Sequence, residues 1–479
     1  MRGVVAAGHP LTAEAGAGAL RAGGNAVDAA LAAMMAAFAA EPLLTGLGSG
    51  GYMLVGTPDG RDVVLDFFVE APGRGEPPPQ RADLQPVDVL FGDVIQCFNG
   101  GAAANGVYGT PSGICTAHAR FARLSLPELA AAGIRLAREG VRVSAMQAYV
   151  LEILDGLVAL TPEGAETFRI GGRPAREGEL LALPELADGI ERLAADGAAP
   201  FYTGDVAARV VEWVRERGGL LSGEDLAAYE TIEREPLRVS YRGRTVVLNP
   251  PASAGGVLIA STLAELDAEP GPPALEALVA AMQRANARRT PEFLENLSLG
   301  NTTHVSVLDA EGWACSVTVS NGAASGVVVP GTGIHLNNML GEEDLNPLGF
   351  FRHPPGRRLP SMMAPTLVRR DGDVELVVGS AGSNRIRSAI LQVISGAVDR
   401  GLDAAGAVAA PRVHWEAGVL YAEPGIDVDA LEAAGREVVR FRDLNLFFGG
   451  AQVVQRRPDG SLSGAGDPRR GGAAVSVEA

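Results

Sequence analysis

One local device recurs along this chain and limits what it can fold into. Two runs of alternating apolar and polar residues flank a short turn. The clearest case runs through Val305 and Val307, turns at Glu311-Gly312, and continues through Trp313, Cys315, Val317 and Val319. Period two over such lengths is the signature of a strand. The device repeats around Pro58-Asp59-Gly60, around Asp371-Gly372 and around Asp459-Gly460, each a hairpin turn signal. Helical patterns lie between the hairpins, at about 126–138, 182–196, 204–217, 253–266, 274–288, 384–400 and 427–436. Helices that alternate with hairpins, rather than with single strands, predict packed antiparallel sheets with helices outside. They argue against a doubly wound parallel sheet. Residues 12–40 are Ala-rich and helical, split at Gly23-Gly24. The second half, 26–40, is apolar nearly all round, which predicts a buried helix. Residues 69–111 and 341–360, rich in Gly, Pro and Asn, read as loop.

The first hairpin also carries the main chemical possibility. Asn301-Thr302-Thr303-His304 sits where a polar loop meets the strand. Threonine at a strand start is ordinary, because β-branched residues favour strands. The chemical reading needs a cut between Asn301 and Thr302. Thr302 then becomes a new N-terminus whose hydroxyl is a nucleophile and whose own amine is the base. A free α-amine has a pKa of about 7.7–8.0, so part of it can accept a proton near neutrality.

Composition removes the competing chemistries. The chain has no lysine; all 40 of its Lys-plus-Arg residues are Arg. Schiff-base, pyridoxal-phosphate, P-loop and Ser-Lys enzymes all require one. A formal net charge of −17 argues against nucleic acid and against an anionic membrane surface as partners. Cys97, Cys115 and Cys315 are odd in number and far apart, and the six histidines show no HxH or HExxH spacing. No metal site and no cofactor are expected. No serine stands in G-x-S-x-G. Gly46, Gly48 and Gly51 match G-x-G-x-x-G, but a helix precedes them and a strand follows, the reverse of a dinucleotide site. The N-terminal residues do not read as a signal peptide, and the longest apolar stretch, 29–40, is too short to span a bilayer. The expectation is a cytoplasmic protein.

Stretches along almost the whole chain resemble the γ-glutamyltranspeptidase family of N-terminal nucleophile hydrolases. They include Gly8-His9-Pro10-Leu11, Gly24-Asn25-Ala26-Val27-Asp28, Glu41-Pro42 and Gly46-Leu47-Gly48-Ser49-Gly50-Gly51. Further on come Phe201-Tyr202-Thr203-Gly204, Glu224-Asp225-Leu226, Pro250-Pro251-Ala252-Ser253-Ala254-Gly255-Gly256, Asn301 to Ser306, and Asp467-Pro468-Arg469. The resemblance implies a four-layer αββα sandwich. It implies a precursor that cuts itself before Thr302 into 1–301 and 302–479, whose two fragments remain associated. The reaction would be acyl transfer from a small amide, through an acyl-enzyme, to water or an amine.

The departures from the family are equally specific. Its donor-carboxylate Arg is Phe68 here, and a bidentate Arg clamp has no substitute in Phe. Its supporting Thr is Ser320, its substrate-binding Asn is Gly322, and Met339 stands at a usually polar position. Glu342, Glu343 or Asp344 takes the place of the Asp that binds the donor amine. The Ser-Ser pair is Ser361-Met362, and the oxyanion Gly-Gly pair is Gly382-Ser383, where backbone N–H groups do the work. These changes predict intact nucleophilic machinery beside a less polar donor pocket, with Arg357, Arg358 or Arg385 as candidate new carboxylate partners. The competing expectation is a catalytically retired relative that stays uncut and binds a ligand or partner.

Overall fold

The computed structural model describes every residue except 76, 78, 92, 93, 252, 269, 289–301, 344, 345, 347, 348 and 479. In it the hairpins assemble into two large antiparallel sheets. The first has the strand order Ile232–Arg234, Asp62–Phe67, Gly50–Gly56, Ala314–Ser320, Thr303–Asp309, Gly3–Ala7, Ala473–Val477. The second has the order Leu237–Tyr241, Arg244–Leu248, Thr366–Arg370, Asp373–Ala381, Gly450–Arg456, Leu462–Ala465.

Side-chain alternation decides how the layers stack. Val305, Val307, Cys315, Val317 and Val319 face one way and join the buried cluster of helix Ala26–Ala40. Their neighbours Leu308 and Ala314 face the other way, into the cluster that holds Val377, Val378 and Val453 of the second sheet. Helices Ala254–Leu266 and Ile386–Val398 close the far side through Leu258, Ile259, Ile390 and Ile394. The result is helix, sheet, sheet, helix. Both sheets draw strands from each side of the 301/302 boundary. Fully burying a valine is worth ~1.5–3 kcal/mol, against ~0–1 for an exposed ion pair. The two parts of the chain are therefore held together chiefly by shared sheet and core.

Helix Ala26–Ala40 is placed by its own ends. Asn25 Oδ1 accepts from the amides of Val27 (2.8 Å) and Asp28 (3.1 Å), and Asp28 Oδ2 accepts from the Asn25 amide (2.8 Å). This reciprocal cap explains the Asn-Ala-Val-Asp motif. All fifteen helical residues are buried, as the apolar pattern predicts. The helix stops at Glu41, which places that carboxylate against Thr303 at the start of strand Thr303–Asp309.

Two expectations need correction, and several elements are unanticipated. The 427–436 helix is only Asp429–Ala433. The stretch read as loop over 69–111 contains the hairpin Gln85–Phe91 with Val94–Gly100. Strand Gly3–Ala7 and helices Thr110–Phe121, Ala145–Ile153 and Pro162–Phe168 also form. Among the described residues no helix is long and apolar enough to cross a membrane.

Candidate active site

Thr302 is fully buried and stands just before the strand Thr303–Asp309. Thr303 pairs with Val319; one step further in that register brings Thr302 beside Ser320, at the end of the partner strand. Thr303 Oγ1 donates to Glu41 Oε2 (2.8 Å), and Thr12 Oγ1 donates to Glu41 Oε1 (3.1 Å). Burial raises the Glu41 pKa above its ordinary value, against the opposing pull of these hydroxyls and of Arg470. Thr302, Thr303, Glu41, Gln147, Ala381 and Arg470 line one small cavity of about 10 Å³, room for about one water. His304 lines it too, but its Nδ1 meets Thr318 Oγ1 (2.8 Å) and its Nε2 meets Ser306 Oγ (3.0 Å). Burial lowers its pKa to about 3, so it stays an uncharged spacer between the sheets. Gly379 makes room for the ring: a Cβ there would fall 2.1 Å from His304 Cε1.

Ser320 is fully buried, and its Oγ accepts from the Gly322 amide (2.8 Å). Gly382 and Ser383 follow strand Asp373–Ala381, whose last residue lines the Thr302 cavity, and lead into helix Ile386–Val398. Their amides lie where a helix start leaves N–H groups outside the helical ladder and a positive dipole end. A Cβ on Gly382 would stand 3.5 Å from Arg470 Nη2, so this turn and the cavity share a wall. Ser383 holds φ at +53°, a left-handed conformation costly to a side-chain-bearing residue. Ser383→Gly should therefore gain stability. The gain is about 0.5–1 kcal/mol after glycine's own entropy cost, read as a higher urea midpoint.

The surrounding chain has clear relatives. The family model for γ-glutamyltranspeptidase matches residues 12–298 and 280–477. The chain belongs to the γ-glutamyltranspeptidase family. Acylase ACY 1 proenzyme of Pseudomonas sp. strain SE83 is 32% identical, over 99% of this chain and 94% of its own length. Glutathione hydrolase proenzyme of Escherichia coli strain K12 is 30% identical, over 98% and 90%. Among solved structures, cephalosporin acylase from Bacillus halodurans matches with a TM-score of 0.84 at 27% identity, over 100% of this chain and 96% of that one. The fold is thus the αββα sandwich of this γ-glutamyltranspeptidase and acylase group, and the chain is an enzyme of that family, in the class of amide hydrolases and transferases.

In this γ-glutamyltranspeptidase-family chain, Phe68, Gly322, Met339, Glu342, Ser361 and Met362 are all buried. Phe68 is fully buried and stacks on Tyr52, with ring centroids 5.5 Å apart. Met339 and Met362 are also fully buried and belong to the same apolar cluster. Gly322 has φ +73°, and a Cβ there would lie 2.0 Å from Asn338 Oδ1 and 2.6 Å from Glu342 Oε1. Both of those oxygens accept from the Ala323 amide, at 2.8 and 2.7 Å. A side chain at 322 would have to displace them, so glycine at 322 and the present placement of Glu342 depend on each other. Glu343 is exposed, and Asp344 lies outside the described residues. Ser361 Oγ accepts from the Met363 amide (3.0 Å), and the Ser361 carbonyl accepts from the Ala254 amide (2.8 Å).

The candidate arginines are already engaged. Arg358 is buried, faces Asp66 (3.5 Å) and Glu70 (3.4 Å), lies over the Tyr229 ring, and donates to the Phe68 carbonyl (2.7 Å). Arg385 donates to the Phe447 carbonyl (3.0 Å) and lies over that ring. Arg357 is half-buried. Sequence reasoning does not bring Arg470 or the Glu41 carboxylate to Thr302. The one local signal is a carboxylate ending an otherwise apolar buried helix.

Proposed function

We propose that this chain is a self-processing N-terminal threonine amidohydrolase whose preferred acyl group is not γ-glutamyl. The chain cuts before Thr302, and fragments 1–301 and 302–479 stay together through their shared sheets. The Thr302 hydroxyl attacks the amide carbonyl, with the new α-amine taking its proton. Ser320 steadies the nucleophile from the neighbouring strand. The Gly382 and Ser383 amides face the oxyanion. Water resolves the acyl-enzyme.

The observation that carries the substrate reading is Phe68. A donor α-carboxylate finds no arginine there, and the Arg358 guanidinium beside it is engaged by Asp66, Glu70 and the Phe68 carbonyl. Losing a hydrogen bond to a charged group costs about 1.5–3 kcal/mol, roughly ten- to a hundredfold in donor discrimination. Gly322 withdraws a further contact. Relatives named acylase and cephalosporin acylase support this reading, while others are named glutathione hydrolase. Simple acyl and glutaryl-type amides are the expected substrates. The processed enzyme should therefore turn over glutaryl-p-nitroanilide or a simple anilide better than γ-glutamyl-p-nitroanilide, with little gain from an acceptor dipeptide. Best turnover of the γ-glutamyl compound, accelerated by the dipeptide, would sink this reading of the pocket.

A further inference from the structure

Self-cleavage, on which this inference rests, raises a difficulty that the geometry answers. In the uncut chain the Thr302 nitrogen is an amide and cannot accept a proton. The base that serves the mature enzyme does not yet exist. Among the described residues lining the Thr302 cavity, Arg470 is a cation, Gln147 and Gln452 are amides, and both His304 nitrogens are occupied by hydroxyls. Glu41 is the carboxylate among them.

We infer that Glu41 is the base of the self-cleavage step, drawing the Thr302 hydroxyl proton through one water held in this cavity. The carboxylate is aimed by three features. Thr12 and Thr303 each donate to one of its oxygens, which leaves a further lone pair on each. Gly8 makes room for it: a Cβ there would fall 2.5 Å from Glu41 Oε2. The helix end at Glu41 fixes the backbone that carries it. The cavity of about 10 Å³ suits a single bridging water. Burial, which favours the protonated form, makes Glu41 a stronger base than a surface carboxylate.

The step balances. Thr302 Oγ forms a bond to the carbonyl carbon of residue 301, and its proton passes through the water to Glu41. As the C–N bond breaks, that proton is returned to the Thr302 nitrogen. An ester on Thr302 and a free amine result. Water then hydrolyses the ester, releasing the carboxylate of residue 301 and restoring the hydroxyl.

The test is a time course of cleavage in freshly synthesised, radiolabelled full-length chain, read on denaturing gels. Glu41→Gln keeps the shape and can still meet both hydroxyls. It should fold like Thr302→Ala, by circular dichroism and melting, yet cut slower than wild type by about a hundredfold or more, the usual range for a lost general base. Glu41→Ala should also cut slowly and be accelerated by added formate, but not by chloride; a merely structural role would not be rescued this way. Equal cleavage rates in wild type and Glu41→Gln would overturn the inference and leave self-processing intact. Failure of formate to rescue Glu41→Ala would overturn it even if the Gln variant did not fold. A wild-type chain that never cuts would instead defeat the self-processing reading itself.

Discussion

Thr302→Ala is expected to leave the chain whole and to lower amide hydrolysis by about 10⁴–10⁶-fold, the scale seen when a covalent nucleophile is deleted. Two losses coincide. The methyl group cannot attack the preceding carbonyl, so no new N-terminus forms. Without that terminus neither nucleophile nor base exists. Thr302→Ser keeps a hydroxyl and should both cut and turn over substrate, more slowly. Denaturing electrophoresis and initial rates on the same preparations check both. A Thr302→Ala chain that is still cut at this point would mean that another protease acts there.

The largest stability effect is expected at the C-terminal Asp467-Pro468-Arg469 turn. Arg469 is fully buried and bonds Glu423 Oε2 (2.5 Å), Asp467 Oδ1 (3.2 Å) and the carbonyls of Val408 (2.9 Å) and Ala410 (3.0 Å). Asp467 Oδ2 also faces Arg412 Nη2 (2.7 Å) and accepts from the Ala451 amide (2.8 Å). The cluster fastens the chain end to strand Gly450–Arg456 and to the 408–412 segment. Arg469→Met leaves Glu423 buried without its guanidinium and should cost about 3–5 kcal/mol. The measurement belongs in the uncut Thr302→Ala background, because unfolding of two separate fragments depends on their concentration. The pH dependence has a defined sign. Burial alone would raise the Asp467 pKa, but Arg412 and Arg469 outweigh it and hold the carboxyl below its ordinary 3.8. A depressed carboxyl contributes stability that is present above pH ~3.9 and lost as pH falls through the lower folded value. Asp467→Asn should therefore flatten the acid limb of the stability curve.

Much of this architecture could be read in the chain because local and tertiary demands coincide. Val305, Val307, Val317 and Val319 alternate, and all of them face helix Ala26–Ala40. That helix is apolar nearly all round, its capping Asp28 apart, because all of its residues are buried. Strand Gly3–Ala7 escaped because it is buried on both faces, so it shows no alternation to detect. The Gln85–Phe91 and Val94–Gly100 hairpin was masked by its Gly- and Pro-rich setting, although Val87 and Val89 do alternate; Val89 and Phe98 are buried in the first core cluster. Resemblance singled out Thr302, Ser320 and Gly382-Ser383; the register sets Thr302 beside Ser320, and Gly382-Ser383 follows a strand whose last residue lines the Thr302 cavity. The fate of the donor region was not legible. Phe68, Met339 and Met362 lie within the inter-sheet core cluster, and the coupling of Gly322 to Glu342 is a contact across a loop. Glu41 and Arg470 stand hundreds of residues apart in the chain and meet at Thr302 only in space.

The central claim is that Thr302 becomes an N-terminal nucleophile, and intact-mass measurement during turnover tests it most directly. Purified enzyme is mixed with excess glutaryl-p-nitroanilide, quenched in acid within the first turnovers and weighed. The account predicts two polypeptides, 1–301 and 302–479, with the mass of one acyl group added only to the second and absent after the substrate is consumed. Hydrolysis by a chain that remains whole, or an acyl group carried on the 1–301 fragment, would contradict it.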